Sequence, residues 1–152
     1  MGIGMEILHI NSASPMYGKL IDYARSCSWR GTGAYFAELL EENGFEETDR
    51  IIIVVDEDEI VGFAGLVRES CMDAPNLFPW IDFLFVDERY RNKGVARKII
   101  EYIFSVAKTD GYEEIYLCTL SHVEMYEKFG FQEFYKGVSV DNIELLVMKT
   151  TL

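Results

Sequence analysis

Arg91, Asn92, Lys93 and Gly94 stand just before a stretch of helical periodicity, in the segment "RNKGVARK". A helix start offers free amide hydrogens and a partial positive charge, so these residues suit a bound phosphate. They equally suit a plain surface turn carrying a solvated arginine. Gly94 lets a ligand come close to the backbone, and the small Ala96 continues that opening. The amides of residues 91–96 can form a concave donor set for a pyrophosphate, with Arg91 and Lys93 adding long-range attraction. Neither GxxxxGK[ST] nor GxGxxG occurs in the chain, which sets this segment apart from the common nucleotide loops. A second feature lies just upstream. Asp82 is the only carboxylate in the run "WIDFLFV", where it can accept a proton, face outward or cap a helix.

These residues need elements to position them. "MEILHINSA" (5–13) reads as a first strand. "PMYGKLIDYARSC" and "TGAYFAELLEENGF" carry apolar residues at helical spacing, and the glycines of the intervening "SWRGTG" read as a turn. "RIIIVVDEDEIVGFAGLVRES" holds two β-rich runs around "DEDE", a hairpin signal. After the apolar run containing Asp82, Val95, Ile99, Ile103 and Val106 mark an amphipathic helix, closed by "DGY". "EEIYLCT" is a further strand, "HVEMYEKFGF" a short helix ending at Gly130, "FQEFYKGVSV" a strand and turn, and "IELLVMKT" a terminal strand. Early hairpins followed by strand–helix–strand predict an α/β (α+β) fold with helices packed on a mixed sheet. That order puts "DERYRNKG" at the C-terminal edge of the sheet, where open α/β folds keep their sites.

Composition narrows the classes. The chain has 152 residues, 49% of them hydrophobic, which predicts a single folded domain over 1–152 and excludes disorder. With 14 basic and 26 acidic side chains, the formal charge is -12. Such a surface argues against nucleic acid or an anionic membrane as partner and mildly favours a cationic one. Three cysteines (Cys27, Cys71 and Cys118) without CxxC spacing suggest a reducing compartment and no disulfide framework. Two separated histidines, His9 and His122, fit no metal-ligand pattern, so no metal is expected. No basic leader with a long apolar run begins the sequence, and no window approaches the ~18 uninterrupted apolar residues of a bilayer span. The expectation is a cytoplasmic protein.

The stretch from Trp80 to Thr119 followed by "YEKFGF" resembles the GNAT superfamily of acetyl-CoA-dependent N-acyltransferases. The family loop (Arg or Gln, two residues, Gly, one residue, then Gly or Ala) appears as Arg91, Gly94 and Ala96. A second landmark appears as Tyr126, Gly130 and Phe131. The likeness runs over roughly residues 51–134. It implies a mostly antiparallel sheet of six to seven strands flanked by about four helices, and transfer of an acetyl group from acetyl-CoA to a primary amine by direct attack. It further implies that Leu84, Phe85 and Val86, in "FLFV", pair through their backbone with the pantetheine arm. Arg91, Asn92, Lys93, Gly94, Val95 and Ala96 would then bind the pyrophosphate.

Amine attack on a thioester needs the neutral amine, so Asp82 is the candidate base, with Glu69 in reserve. Tyr126 is the candidate acid for the leaving thiolate. Many relatives carry Asn near position 119, where this chain has Thr119. His122 could contact the cofactor, cap a backbone group or face water, while His9 reads as structural. Cys118, in a strand with no paired base, reads as core. In the family the early helices and the loop before the last strand bind the acceptor. Trp29, Tyr35, Phe36 and Tyr135 could line such a pocket, or simply pack. The acceptor is a small-molecule amine or a protein amine. A non-catalytic acyl-CoA-binding or protein-interaction module on the same fold is the alternative. Homodimers are common in the family, and the aromatic terminal region would support one.

Overall fold

Alternation sorts the apolar residues of one strand, Arg50–Asp56, onto two faces: Ile51, Ile53 and Val55 pack in one cluster, Ile52 and Val54 in another. Period-two alternation with both faces apolar marks a strand covered from both sides. The structure, a computed structural model, describes residues 5–152. Its strands are β1 (Met5–Ile10), β2 (Arg50–Asp56), β3 (Glu59–Val67), β4 (Trp80–Val86), β5 (Glu114–Thr119), β6 (Gln132–Val138) and β7 (Glu144–Thr151). The helices are α1 (Tyr17–Ser26), α2 (Arg30–Glu41), α3 (Val95–Thr109) and α4 (Val123–Lys128), with a short 3-10 turn at Glu88–Tyr90.

All seven strands join one sheet in the order β1-β2-β3-β4-β5-β7-β6. Every pairing is antiparallel except β4 with β5. The expected mixed, mostly antiparallel architecture is therefore the one observed. On one face, Leu20 and Ala24 of α1 and Phe36, Ala37 and Leu40 of α2 cover Ile51, Ile53, Phe63 and Phe85. On the other, Val95, Ile99, Ile103 and Ala107 of α3 cover Ile52, Val54, Ile81 and Leu117. Each fully buried Ile here stabilises the fold by about 1.5–3 kcal/mol, so the α3 stripe is a principal clamp on the sheet.

β4 and β5 pair at a single register position, Trp80 with Tyr116. Beyond it the two strands run without a ladder. This opening in the middle of the sheet is the main departure from regular hydrogen bonding.

One sequence expectation needs correction. The glycines of "SWRGTG" lie not in a turn but within α2, which begins at Arg30. Gly33 is there because α1 and α2 come close: a Cβ at this position would meet the Ala24 carbonyl oxygen at 2.3 Å and the Cys27 sulfur at 2.7 Å. At Gly31 a Cβ would meet nothing within 4 Å. Gly33→Ala is thus expected to destabilise the protein by about 1–3 kcal/mol through overpacking. Gly31→Ala should stabilise it by roughly 0.5–1 kcal/mol, because only chain entropy changes. Urea-unfolding midpoints compare the two, and a Gly33→Ala protein as stable as its parent would refute the close-approach reading.

Candidate active site

β4 carries one more residue than the strand it pairs with. Gly65 faces Asp82 and Phe63 faces Phe85, so Phe83 and Leu84 together oppose Ala64. This bulge sets Phe83 at φ 57, in the left-handed region that a bulky side chain rarely adopts. A conformation of this kind costs about 1–3 kcal/mol and persists only when packing enforces it. Here the Phe83 ring stacks on Phe36 with centroids 4.8 Å apart and meets Phe45 edge-on. The consequence is a break in alternation. Asp82 and Phe83, although adjacent, both border the same cavity on the α1/α2 side.

That cavity has a volume of about 580 Å³. Tyr35 and Leu39 of α2, the 44–49 loop, the end of β3, Asp82 and Phe83, and Val140 with Asp141 form its walls. Five carboxylates border it (Glu46, Asp49, Glu69, Asp82 and Asp141), and no Lys, Arg or His does among the described residues. Asp49 is structurally engaged, accepting from the Glu46 amide at 2.8 Å and the Arg68 amide at 2.9 Å. Glu69 is exposed at the rim, whereas Asp82 is half-buried. Burial pushes the Asp82 carboxyl up to about 6, opposed by the Phe83 amide, which donates to Oδ1 at 3.0 Å. A carboxylate held near that value is matched to proton transfer around neutrality.

Of the aromatic residues weighed as pocket walls, Tyr35 lines the cavity. Phe36 is fully buried core. Trp29 stacks on Phe85 at 6.2 Å, and Tyr135 packs against Phe134 on β6; neither borders the cavity.

The opposite edge of β4 faces the opening toward β5. Phe85 and Val86 have buried side chains and Leu84 a half-buried one, so what this stretch can offer a ligand is its backbone. Beyond it, Arg91 Nε donates to the Val86 carbonyl oxygen at 2.9 Å. Arg91 thereby fastens the loop to the strand end, and its guanidinium lies 5.5 Å from the Phe85 ring centre. Asn92 and Gly94 adopt φ 61 and φ 81, and open space surrounds the Cβ position of Gly94. The amide of Lys98 makes a helical bond to Gly94, leaving the first-turn amides of Val95, Ala96 and Arg97 without intrahelical acceptors. Exposed Lys93 stands in the same loop, and the Arg97 guanidinium lies 5.0 Å from the Phe129 ring centre. The chain thus places basic groups and free amides together at one end of the opening.

α4 flanks the β5 side. Tyr126 is half-buried, its ring edge-on to Phe131 at 6.1 Å. No hydrogen bond to the Tyr126 hydroxyl is seen among the described residues, and burial, reinforced by nearby Cys118, pushes its phenol above the ordinary value. It therefore stays protonated at neutral pH. His122 is exposed at φ 66 ahead of α4 and makes no side-chain cap. His9 bonds Tyr102 at 2.8 Å, a structural contact. Thr119 hydrogen-bonds Ser121 to shape the β5–α4 turn. Cys118 is not simply core: it is half-buried, and its sulfur lies 3.6 Å from that of Cys71. Among the described residues, no three His, Cys, Asp or Glu side chains converge as a metal-ligand set. No described helix is long and apolar enough to cross a membrane.

Residues 14–131 match the model of the acetyltransferase (GNAT) family. Spermine/spermidine N(1)-acetyltransferase of Bacillus subtilis is 35% identical over 83 residues, covering 50% of this chain and 55% of that protein. Human N-acetyltransferase 8 is 30% identical over 84 residues, 51% of this chain and 36% of the relative. The matched stretch thus spans about half the length of the bacterial relative and less of the human one. Among solved structures, the aminoglycoside 6'-N-acetyltransferase from Enterococcus faecium superposes with TM-score 0.75 at 20% identity, covering 96% of each chain. A GNAT family acetyltransferase from Elizabethkingia anophelis with acetyl-CoA bound superposes with TM-score 0.70 at 15% identity, covering 99% of this chain and 100% of that one. These likenesses concern the fold. The family match covers most of the sequence, from the start of the helical layer to the end of α4, and the chain belongs to the acetyltransferase (GNAT) family.

Proposed function

We propose that this protein transfers an acetyl group from acetyl-CoA to a primary amine of a small polycation. One observation carries the reading: the carboxylate-lined cavity takes Asp82 and Phe83 from the same strand whose other edge, beyond Trp80, has no ladder to β5. The unpaired edge of Leu84–Val86 suits the amides of a pantetheine arm, which can lie there like an added strand. The loop from Arg91 to Ala96, open at Gly94, suits the pyrophosphate. Arg91 acts in part by holding that loop to Val86, and Arg97 joins Lys93 as a nearby cation.

The five carboxylates draw a cation into the cavity. Its size suits a small molecule, and the similarity to a spermine/spermidine acetyltransferase points the same way. The amine nitrogen attacks the thioester carbonyl carbon. As the C–N bond forms, the nitrogen loses its basicity, and Asp82 receives its proton directly or through water. The C–S bond then breaks, and the leaving thiolate takes the phenolic proton of Tyr126. Two groups with opposite protonation near neutrality divide the acid and base work.

A thiol-release assay with acetyl-CoA tests this. Spermidine is expected to give a kcat/KM at least about tenfold above that of butylamine, which has one charge to meet the carboxylates. Tyr126→Phe should lower turnover by about tenfold or more while leaving acetyl-CoA affinity nearly unchanged. Acetyl-CoA binding with no thiol release for any amine would leave the non-catalytic reading in its place.

Asp82→Asn separates function from stability. The rate should fall by about 10²–10⁴-fold and the acid limb near pH 6 should disappear. Burial raises the carboxyl above its ordinary value of 3.8 to about 6, so within that window the folded state binds the more protons. Stability from this group is therefore greatest at low pH and falls as pH rises through about 6. Denaturant unfolding should find Asp82→Asn more stable than the parent at neutral pH, on the order of 2–3 kcal/mol, and equal to it near pH 4. A variant no more stable at neutral pH would show that the carboxylate is well solvated.

A further inference from the structure

Two cysteines far apart in sequence meet beside the proposed reaction centre. Cys71 lies in the irregular segment between β3 and β4, and Cys118 lies in β5. Their sulfurs are 3.6 Å apart, and the Ser70 hydroxyl lies 3.8 Å from each. Both side chains are half-buried. Cys71 also borders the acceptor cavity, so it can be reached from solvent by that route. Its segment is held at one side, where the Val140 amide donates to the Cys71 carbonyl at 2.8 Å and Met72 pairs with Ser139. No helix or strand of its own immobilises it, whereas Cys118 is fixed in the sheet by its pairing with Val147 of β7.

The environments of the two thiols differ. Hydrogen bonding from Cys118 lowers the Cys71 thiol to about 7 against the opposing effect of burial, with the Ser70 hydroxyl assisting. Cys118 is pushed the other way, first by the same hydrogen bond and then by burial. The negative charge of Asp82 disfavours a thiolate at both positions, and the Tyr126 phenol is the other titratable group near Cys118. The result is one nucleophilic sulfur facing the cavity and one protonated sulfur behind it, the arrangement of an attacking and a resolving cysteine. Cys27 provides an internal contrast. It is buried, its thiol donates to the Ala24 carbonyl at 3.3 Å, and burial raises it.

We propose that Cys71 and Cys118 form a thiol–disulfide exchange site that reacts with small disulfides of the glutathione type. The Cys71 thiolate attacks one sulfur of the small disulfide, forming a mixed disulfide and expelling one thiolate. Cys118 then gives up its proton and attacks Cys71, closing the Cys71–Cys118 disulfide and releasing the second small thiol. Two protein thiols are oxidised and one small disulfide is reduced to two thiols. From 3.6 Å the sulfurs must approach to about 2.05 Å, a movement the irregular Cys71 segment can supply.

The test is made on the folded full chain incubated with oxidised glutathione. Intact mass should show loss of two hydrogens, and non-reducing peptide mapping should join Cys71 to Cys118. Cys118→Ala should instead retain one glutathionyl group on Cys71, and Cys71→Ala should give neither product. In the unoxidised parent, Cys71 should be alkylated at least about tenfold faster than Cys27 at neutral pH. Absence of the cross-link in the folded parent, under conditions that oxidise the urea-unfolded chain, would overturn the proposal. So would alkylation of Cys27 as fast as Cys71. Parent mapping requires no variant to fold. Because the readout is mass rather than acetyl transfer, a failure here leaves the proposed enzymatic activity standing, and the reverse holds equally.

Discussion

Strand β4 is buried on both faces but paired along only one edge for most of its length, and the surroundings of the site follow from that asymmetry. Backbone amides and carbonyls within a sheet are obligatory hydrogen-bonding groups. Where β5 diverges after Trp80–Tyr116, those groups turn toward an opening in the middle of the molecule. The bulge at Phe83 and Leu84 acts on the same strand by shifting its side-chain alternation. One local irregularity therefore turns Asp82 into the cavity, while the strand edge is free to accept a ligand backbone. The aromatic stack of Phe36, Phe63, Phe83 and Phe85 holds the strained residue in place. In the proposed role of Asp82 that rigidity would matter for chemistry, since a proton acceptor misplaced by an ångström loses much of its effect.

Charge is divided in the same way. Although the chain is strongly acidic overall, Arg91, Lys93 and Arg97 gather at the start of α3. Carboxylates surround the cavity across β4. An anionic donor and a cationic acceptor would each meet a field of the opposite sign on entry, and each would be discouraged from the other's site. Net charge alone reveals none of this, because it sums over both sites.

Local signals carried much of the fold into view from sequence. The isoleucines and valines of β2, the α3 stripe from Val95 to Ala107, and the acidic turn between β2 and β3 each follow from short-range periodicity. Gly94 was legible because a glycine just before a helical stretch lets a ligand approach the backbone, and Asp82 because it is the one carboxylate in an apolar run. Other features depend on contacts that no short window contains. Phe83 adopts a left-handed φ only because tertiary packing enforces it. Gly33 looked like turn punctuation until α1 lay against it. Cys71 and Cys118 are brought together by sheet topology, and the five cavity carboxylates come from four separate segments. Arg97 lies a single residue past the loop pattern, so the motif gave no reason to include it.

The central claim is that the free edge of β4 and the first turn of α3 together receive the acetyl-CoA backbone. Hydrogen–deuterium exchange, followed by mass spectrometry with and without saturating acetyl-CoA, addresses those amides directly. The account predicts slowed exchange confined to Leu84–Val86 and to residues 93–97, with β1 and β2 unchanged. Unaltered exchange at both segments in the presence of bound acetyl-CoA would contradict it.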